Sequence, residues 1–264
     1  MHQFFVEDEQ VGREFITITG PDVNHIRNVL RMKPGEKIRV SSASGQSYFC
    51  AVSHLGDNFV QADILDAEAA STELSAKIYL FQAIPKGDRM ESIIQKAVEL
   101  GVYEIIPVAM KYCVVRLDEK KAAAKGKRWQ AISESAAKQS KRSRIPKVHP
   151  VVPFDEALLL AASCDTCILP YENARGMAPT GEVLDSLRPG TSISVLIGPE
   201  GGFAQEEIAA ARGKMQLVSL GKRILRTDTA AIAMLSLLMI RLESLEDSET
   251  SVSHGPEPSV RPGG

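Results

Sequence analysis

Apolar residues recur along this chain in two rhythms. Up to about residue 72 they come in short runs. The runs over 38–42, 48–53 and 59–65 read as strands, broken at Gly45 and at Gly56-Asp57-Asn58. Ahead of them, the 21–32 segment places Ile26, Val29 and Leu30 at helical spacing, with Pro21 near the start and His25, Arg27 and Arg31 on the polar side. That predicts a helix. From Ala76 onward strand and helix alternate. Residues 77–84 read as a strand, and 89–100 as a helix whose inner face is Met90, Ile93, Ile94, Ala97 and Val98, stopped by Gly101. A strand over 103–108 leads to a long helix over 119–140, with Trp129, Ile132 and Ala136 inward. A helix over 155–162, a strand over 166–169 ending in Pro170-Tyr171-Glu172, and a short helix over 182–187 follow. Such alternation predicts a parallel sheet with helical crossovers, that is, an α/β fold preceded by a small β-rich domain.

The last third of the chain carries the densest pattern. The apolar run 193–197 stops abruptly at Gly198-Pro199-Glu200-Gly201-Gly202-Phe203. A second run, 216–220, stops at Gly221, and Arg223-Ile224-Leu225-Arg226-Thr227-Asp228-Thr229 then opens an apolar helix. Glycines let a backbone approach a ligand closely, and ligands in open α/β sheets bind outside the carboxyl ends of strands. One such turn alone is equally a tight strand-to-helix connection without a ligand. The spacing matches neither the dinucleotide fingerprint nor the P-loop. The apolar positions Ile232, Leu235, Leu238 and Met239 of the last helix fit a dimer contact and plain core equally. Beyond Leu245 the chain turns acidic and rich in Ser, Pro and Gly, and reads as a disordered tail.

A chain of 264 residues with 44% hydrophobic and 24% charged residues is that of a soluble globular protein of one or two domains. No apolar run is long enough to span a bilayer, and the opening MHQFFVEDEQ is no secretory signal. With four cysteines and no disulfide framework, a cytoplasmic location is expected. Cys164 and Cys167 are a lone pair and the five histidines are scattered, so no metal is expected. The net charge of −2 hides an asymmetry. Between 111 and 147 stand twelve lysines and arginines against three acids. A basic concentration of this kind is the footprint of a surface for a polyanion, RNA here; a solvated helix face is the ordinary alternative.

The two glycine loops together, LIGPEGGF and LGKRILRTDTA, resemble the SPOUT methyltransferases, and specifically the RsmE family. Further resemblance lies at 29–35, 82–88, 96–107 and 138–140, so that it covers nearly the whole chain to about Glu243. It implies transfer of a methyl group from S-adenosylmethionine to N3 of a uridine in 16S ribosomal RNA, within the small ribosomal subunit. It implies a SPOUT-type parallel sheet with a carboxyl-terminal trefoil knot, and a homodimer. It divides the chain into a PUA-like RNA-binding domain (1–72), a methyltransferase domain (73–245) and a tail (246–264). By the same resemblance the donor is held by Leu169, Pro170, Gly198, Glu200, Gly201, Gly202, Leu220, Gly221, Ile224 and Leu225. Glu200, Arg226 and Asp228 become the catalytic candidates. Arg13, Arg27, Arg31, Gln139, Ser140 and Arg142 become the RNA contacts. Two positions depart from the family pattern: Asp228 and Lys138 stand where relatives commonly carry glutamate. Asp228 also suits a helix cap.

Overall fold

The computed structural model describes residues 1–67 and 72–253. The first sheet contains β1 (His2–Val6), β2 (Phe15–Thr19), β3 (Lys37–Ser42), β4 (Ser47–Leu55) and β5 (Phe59–Ala67), in the order β1-β3-β4-β5-β2. β1 and β3 run parallel and the other pairs antiparallel. Period-two alternation buries Phe4, Ile16, Ile18, Ile38, Val40, Val52 and Val60 on one face, and Val23 and Ile26 pack into the same cluster. The expected 21–32 helix is shorter and wider than its pattern suggests. It consists of α1 (Pro21–Asn24) and a π-helical turn over His25–Val29, closed by Leu30 N–H donating to the His25 carbonyl at 2.8 Å. The wide turn carries an extra residue, so Ile26 stays buried while Val29 rotates out to 65% exposure.

The second sheet is wholly parallel. It contains β6 (Lys77–Ala83), β7 (Glu104–Ala109), β8 (Lys147–Val148), β9 (Val152–Pro153), β10 (Thr166–Pro170), β11 (Ser192–Ile197) and β12 (Gln216–Val218). The order is β12-β10-β11-β6-β7-β8, with β9 also on β7. Both faces are covered, as near-continuous apolar strands require. On one face α2 (Arg89–Glu99), α3 (Glu119–Ser140) and α7 (Thr227–Ser253) bury Ile93, Trp129, Leu235 and Leu238 against Ile78, Leu80, Ile193 and Val195. On the other, α4 (Phe154–Ala161) and α6 (Gln205–Ala211) bury Phe154 and Ile208 against Phe81, Ile106 and Leu196. A further helix, α5 (Ala178–Ser186), follows β10 and starts earlier than the 182–187 expectation, with a proline in its first turn. Asp118 caps α3, its Oδ1 accepting from Lys121 N–H at 2.8 Å, and Lys141 ends it in the left-handed region at φ 61°.

α7 bears on two expectations. Leu235 and Leu238 are fully buried and belong to the core, while Ile232 and Met239 are half-buried. The helix continues to Ser253, so the segment read as a disordered tail from 246 is helical through 253; residues 254–264 lie outside the described residues. Among the described residues no helix is long and apolar enough to cross a membrane.

Candidate active site

Because β6, β10, β11 and β12 are parallel, their carboxyl ends share one edge of the sheet. The loops leaving β11 and β12 meet there through Thr227. Its hydroxyl donates to the Gly198 carbonyl at 2.7 Å and accepts from Gln82 Nε2 at 2.9 Å. Thr180 Oγ1 holds the Ser219 carbonyl at 2.7 Å, fixing the β12 end. The two glycine-marked loops are therefore one structure, joined by buried hydrogen bonds that also reach β6.

Four glycines shape this edge for distinct reasons. A Cβ on Gly198 would stand 2.8 Å from the Phe203 ring, and one on Gly201 2.9 Å from Tyr112 Cβ. Gly202 (φ 73°) and Gly221 (φ 111°) occupy the region that favours glycine. Nothing lies within 4 Å of where a Cβ on Gly221 would stand, so its face is open. Beside it Ile224 is 86% exposed and Leu225 half-buried. Open glycine backbone with an exposed aliphatic wall fits the adenosine end of the expected donor. Two of the expected lining residues pack into the core: Leu169 is fully buried on one face of the sheet, and half-buried Leu220 packs against the cluster on the other. Pro170 ends β10 half-buried.

The charged candidates differ in their commitments. Glu200 Oε1 accepts from Arg89 Nη1 at 2.6 Å and from Lys86 N–H at 3.0 Å, tying the β11 loop to the loop after β6. Arg226 is exposed. Asp228 is half-buried in the first turn of α7, its Oδ1 accepting from Thr229 N–H at 3.1 Å. Glu207 escaped the sequence reading. It is buried, and its two oxygens accept from Ala204 N–H at 2.8 Å and Lys111 N–H at 2.9 Å. It thereby fastens the loop after β7 to the edge that carries the glycine loops. Its place three residues after Ala204, at a helix start, was the available signal.

The basic stretch divides. Arg142 is corrected from an RNA contact to a structural joint, since it is only 3% exposed. Its Nη1 donates to the carbonyls of Val98 at 3.0 Å and Val102 at 2.9 Å, and Nε and Nη2 pair with Glu73. Its own carbonyl accepts from Gln3 Nε2 at 2.6 Å, while the Lys141 carbonyl accepts from Arg39 Nη1 at 2.8 Å. Gln3 and Arg39 are register partners on β1 and β3, so this knot of bonds mounts the first sheet on the second. Lys138 bridges Asp22 and Glu134. Ser140 Oγ donates back to the Ala136 carbonyl at 2.8 Å. Gln139 is exposed and lines a cleft of about 230 Å³ with His2, His25, Lys138 and Lys141. A second cleft, of about 340 Å³, is lined by Asn24, Arg27, Asn28 and Asn58. There Arg27 Nη1 donates to the carbonyls of Gly56 at 2.8 Å and Asp57 at 3.0 Å. Arg13 and Arg31 are exposed.

A parallel sheet with an open glycine edge, mounted on a small mixed sheet, has matching families. The profile described as RNA methyltransferase domain matches residues 72–239, and the RNA methyltransferase PUA domain profile matches 18–65. The fold is thus that of an RNA methyltransferase. More narrowly, the chain belongs to the ribosomal RNA small subunit methyltransferase E family. It is 34% identical over 256 residues to the Bacillus subtilis protein of that name, covering 94% of this chain and all of the relative. A crystal structure of ribosomal RNA small subunit methyltransferase E from Neisseria gonorrhoeae, bound to S-adenosyl methionine, is 33% identical with a TM-score of 0.77, covering 91% of this chain and 97% of the other. A putative methyltransferase from Legionella pneumophila, with the cofactor bound, is 30% identical with a TM-score of 0.77, covering 90% and 96%.

Proposed function

We propose that this chain transfers the methyl group of S-adenosylmethionine to N3 of a uridine in 16S ribosomal RNA, within the small subunit. The carrying observation is the pair of glycine loops at the ends of β11 and β12, locked by Thr227 with the Gly221 face left open. The cofactor supplies a methyl group on a sulfonium centre, activated for direct displacement. Main-chain groups of Gly198, Gly201, Gly202 and Gly221 bind its polar edges, with Ile224 and Leu225 as the apolar wall. N3 lies on the pairing edge of the base, so the uridine must enter unpaired and unstacked. N3 must also lose a proton. Asp228 is assigned that proton, because Glu200 is committed to Arg89 and Lys86. Arg226, exposed beside it in sequence, supplies positive charge for the uracil oxygens as N3 deprotonates.

The division at 1–72 and 73–245 gives each sheet one task, with Arg13, Arg31 and Gln139 as RNA contacts. The trefoil knot is favoured by β12 lying at the sheet edge while α7, which follows it, returns to pack on α2 and β11. A homodimer is favoured by the outer side of α7, where Ala233 and Leu237 are half-buried and Ile240 is 58% exposed. Small subunits are assembled in the cytoplasm, which is the location this reading requires.

The test is methyl transfer from labelled S-adenosylmethionine to small ribosomal subunits and to naked 16S rRNA, followed by mass mapping. 3-Methyluridine at one position supports the reading. A ribose 2′-O-methyl group, or no transfer to either substrate, overturns it.

A further inference from the structure

Of the chain's phenylalanines, tyrosines and its tryptophan, Phe15 and Tyr112 alone are exposed. Phe15 lies on β2 of the first sheet. Tyr112 lies at the donor edge, and it is 46% exposed. Its position is held with unusual firmness for a surface ring. The turn carrying it is closed by Cys113 N–H donating to the Met110 carbonyl at 3.2 Å. Met110 and Cys113 are themselves buried and anchor both ends of the turn. Lys111, at the tip, is fixed through its N–H to buried Glu207 at 2.9 Å and through its ammonium to Glu206. Tyr112 also packs on the donor loop itself. A Cβ on Gly201 would stand 2.9 Å from Tyr112 Cβ and 3.6 Å from Cγ, so the absence of a side chain on Gly201 makes room for the tyrosine.

A firmly mounted aromatic left nearly half exposed beside a cofactor loop, with the Lys111 ammonium 5.8 Å from its ring centre, still has ring surface to offer a partner. The reaction requires one. A uridine taken out of its helix loses base stacking, and enzymes that work on such bases return it with an aromatic or apolar face. We propose that Tyr112 is the stacking platform for the substrate uracil, holding the base in the plane from which N3 meets the methyl group. The inference rests on the uridine reading above and goes beyond it by naming the residue that receives the base. The phenol hydroxyl has no part in it; the ring does. The exposed Arg116 on the same loop suits a phosphate flanking the base.

The experiment compares wild type, Tyr112→Phe and Tyr112→Ala. Methyl transfer to small subunits is measured at saturating S-adenosylmethionine, with donor affinity measured separately by calorimetry. Base–aromatic stacking of ordinary strength predicts that Tyr112→Ala loses roughly ten- to a hundredfold in kcat/KM for RNA. Donor affinity and oligomeric state should hold, and Tyr112→Phe should stay within about threefold of wild type, since it keeps the stacking face. Three results overturn the proposal: full activity in Tyr112→Ala, parallel loss in Tyr112→Phe, or loss of donor affinity or of the assembly in Tyr112→Ala. If wild type itself makes no methyluridine in 16S rRNA, the functional reading fails first, and that result is distinct from all three.

Discussion

Two arginines set the two halves of this site against each other. Arg142 and Arg226 look alike in sequence, each in a basic run beside a helix end. In the structure Arg142 is 3% exposed, with its guanidinium divided between Glu73 and two helix-end carbonyls, whereas Arg226 is exposed at the donor edge. A buried cation bonded to a carboxylate and to main-chain carbonyls holds elements together and lies out of a ligand's reach. An exposed one on a loop fixed by Thr227 has everything still to give. Positive charge in a sequence thus carries no functional meaning until its depth and partners are known.

The largest effects should break that contrast most cleanly. Arg142→Ala removes the guanidinium from the joint and leaves Glu73 held by Ser143 alone among the bonds described, and losing one partner of a largely buried pair costs about 3 kcal/mol. Urea unfolding should show that loss, and a cost below about 1 kcal/mol would mean the joint carries little. Arg226→Ala should do the reverse. Unfolding should stay within about 0.5 kcal/mol of wild type, as surface substitutions do. Methyl transfer should fall about 10²- to 10³-fold, the scale of removing a charge-stabilising donor. Equal losses of stability in both variants would erase the distinction drawn here.

Smaller changes sharpen it. Thr227→Val removes the hydroxyl between Gln82 and Gly198 and leaves buried polar groups unpaired. About 1–3 kcal/mol of stability should go, with donor affinity falling alongside, since both loops depend on the same bridge. Gly221→Ala meets no atom within 4 Å, so its cost is backbone strain at φ 111°, about 1 kcal/mol or somewhat more. Donor affinity by calorimetry should drop by more than that strain explains, because the new methyl occupies the open face.

The smallest effect concerns acid. Hydrogen bonds from the Ser192 hydroxyl and N–H hold the Asp165 carboxyl below its ordinary value. A carboxylate lowered on folding adds stability above its unfolded pKa, near 4, and loses it as pH falls through the folded value. Asp165→Asn should therefore lower Tm slightly at pH 7.5 and converge on wild type toward pH 3, which narrows the acid drop. An unchanged acid limb would remove Asp165 from that account.

What the sequence made legible follows from how local each signal is. The parallel sheet, α3 and the two glycine loops were readable because strand runs, helical spacing and glycine stops lie within a dozen residues of each other. The joint at Arg142 was not, because its partners Gln3, Glu73, Val98 and Val102 are scattered over the chain and meet only after folding. Leu169 is legible only as a strand end, because the register that turns its side chain into the core is not written in its neighbours. Val29 was misplaced by a turn that no apolar periodicity announces. Tyr112 went unread because exposure, its one distinguishing property, is invisible in one dimension.

Hydrogen exchange read by mass spectrometry, with and without S-adenosylmethionine, tests the central claim most directly. Added cofactor should slow exchange at 169–172, 198–203 and 220–228, and leave 138–143 unchanged. Protection at 138–143 with none at the glycine loops would place the donor on the wrong half of the molecule and contradict the account.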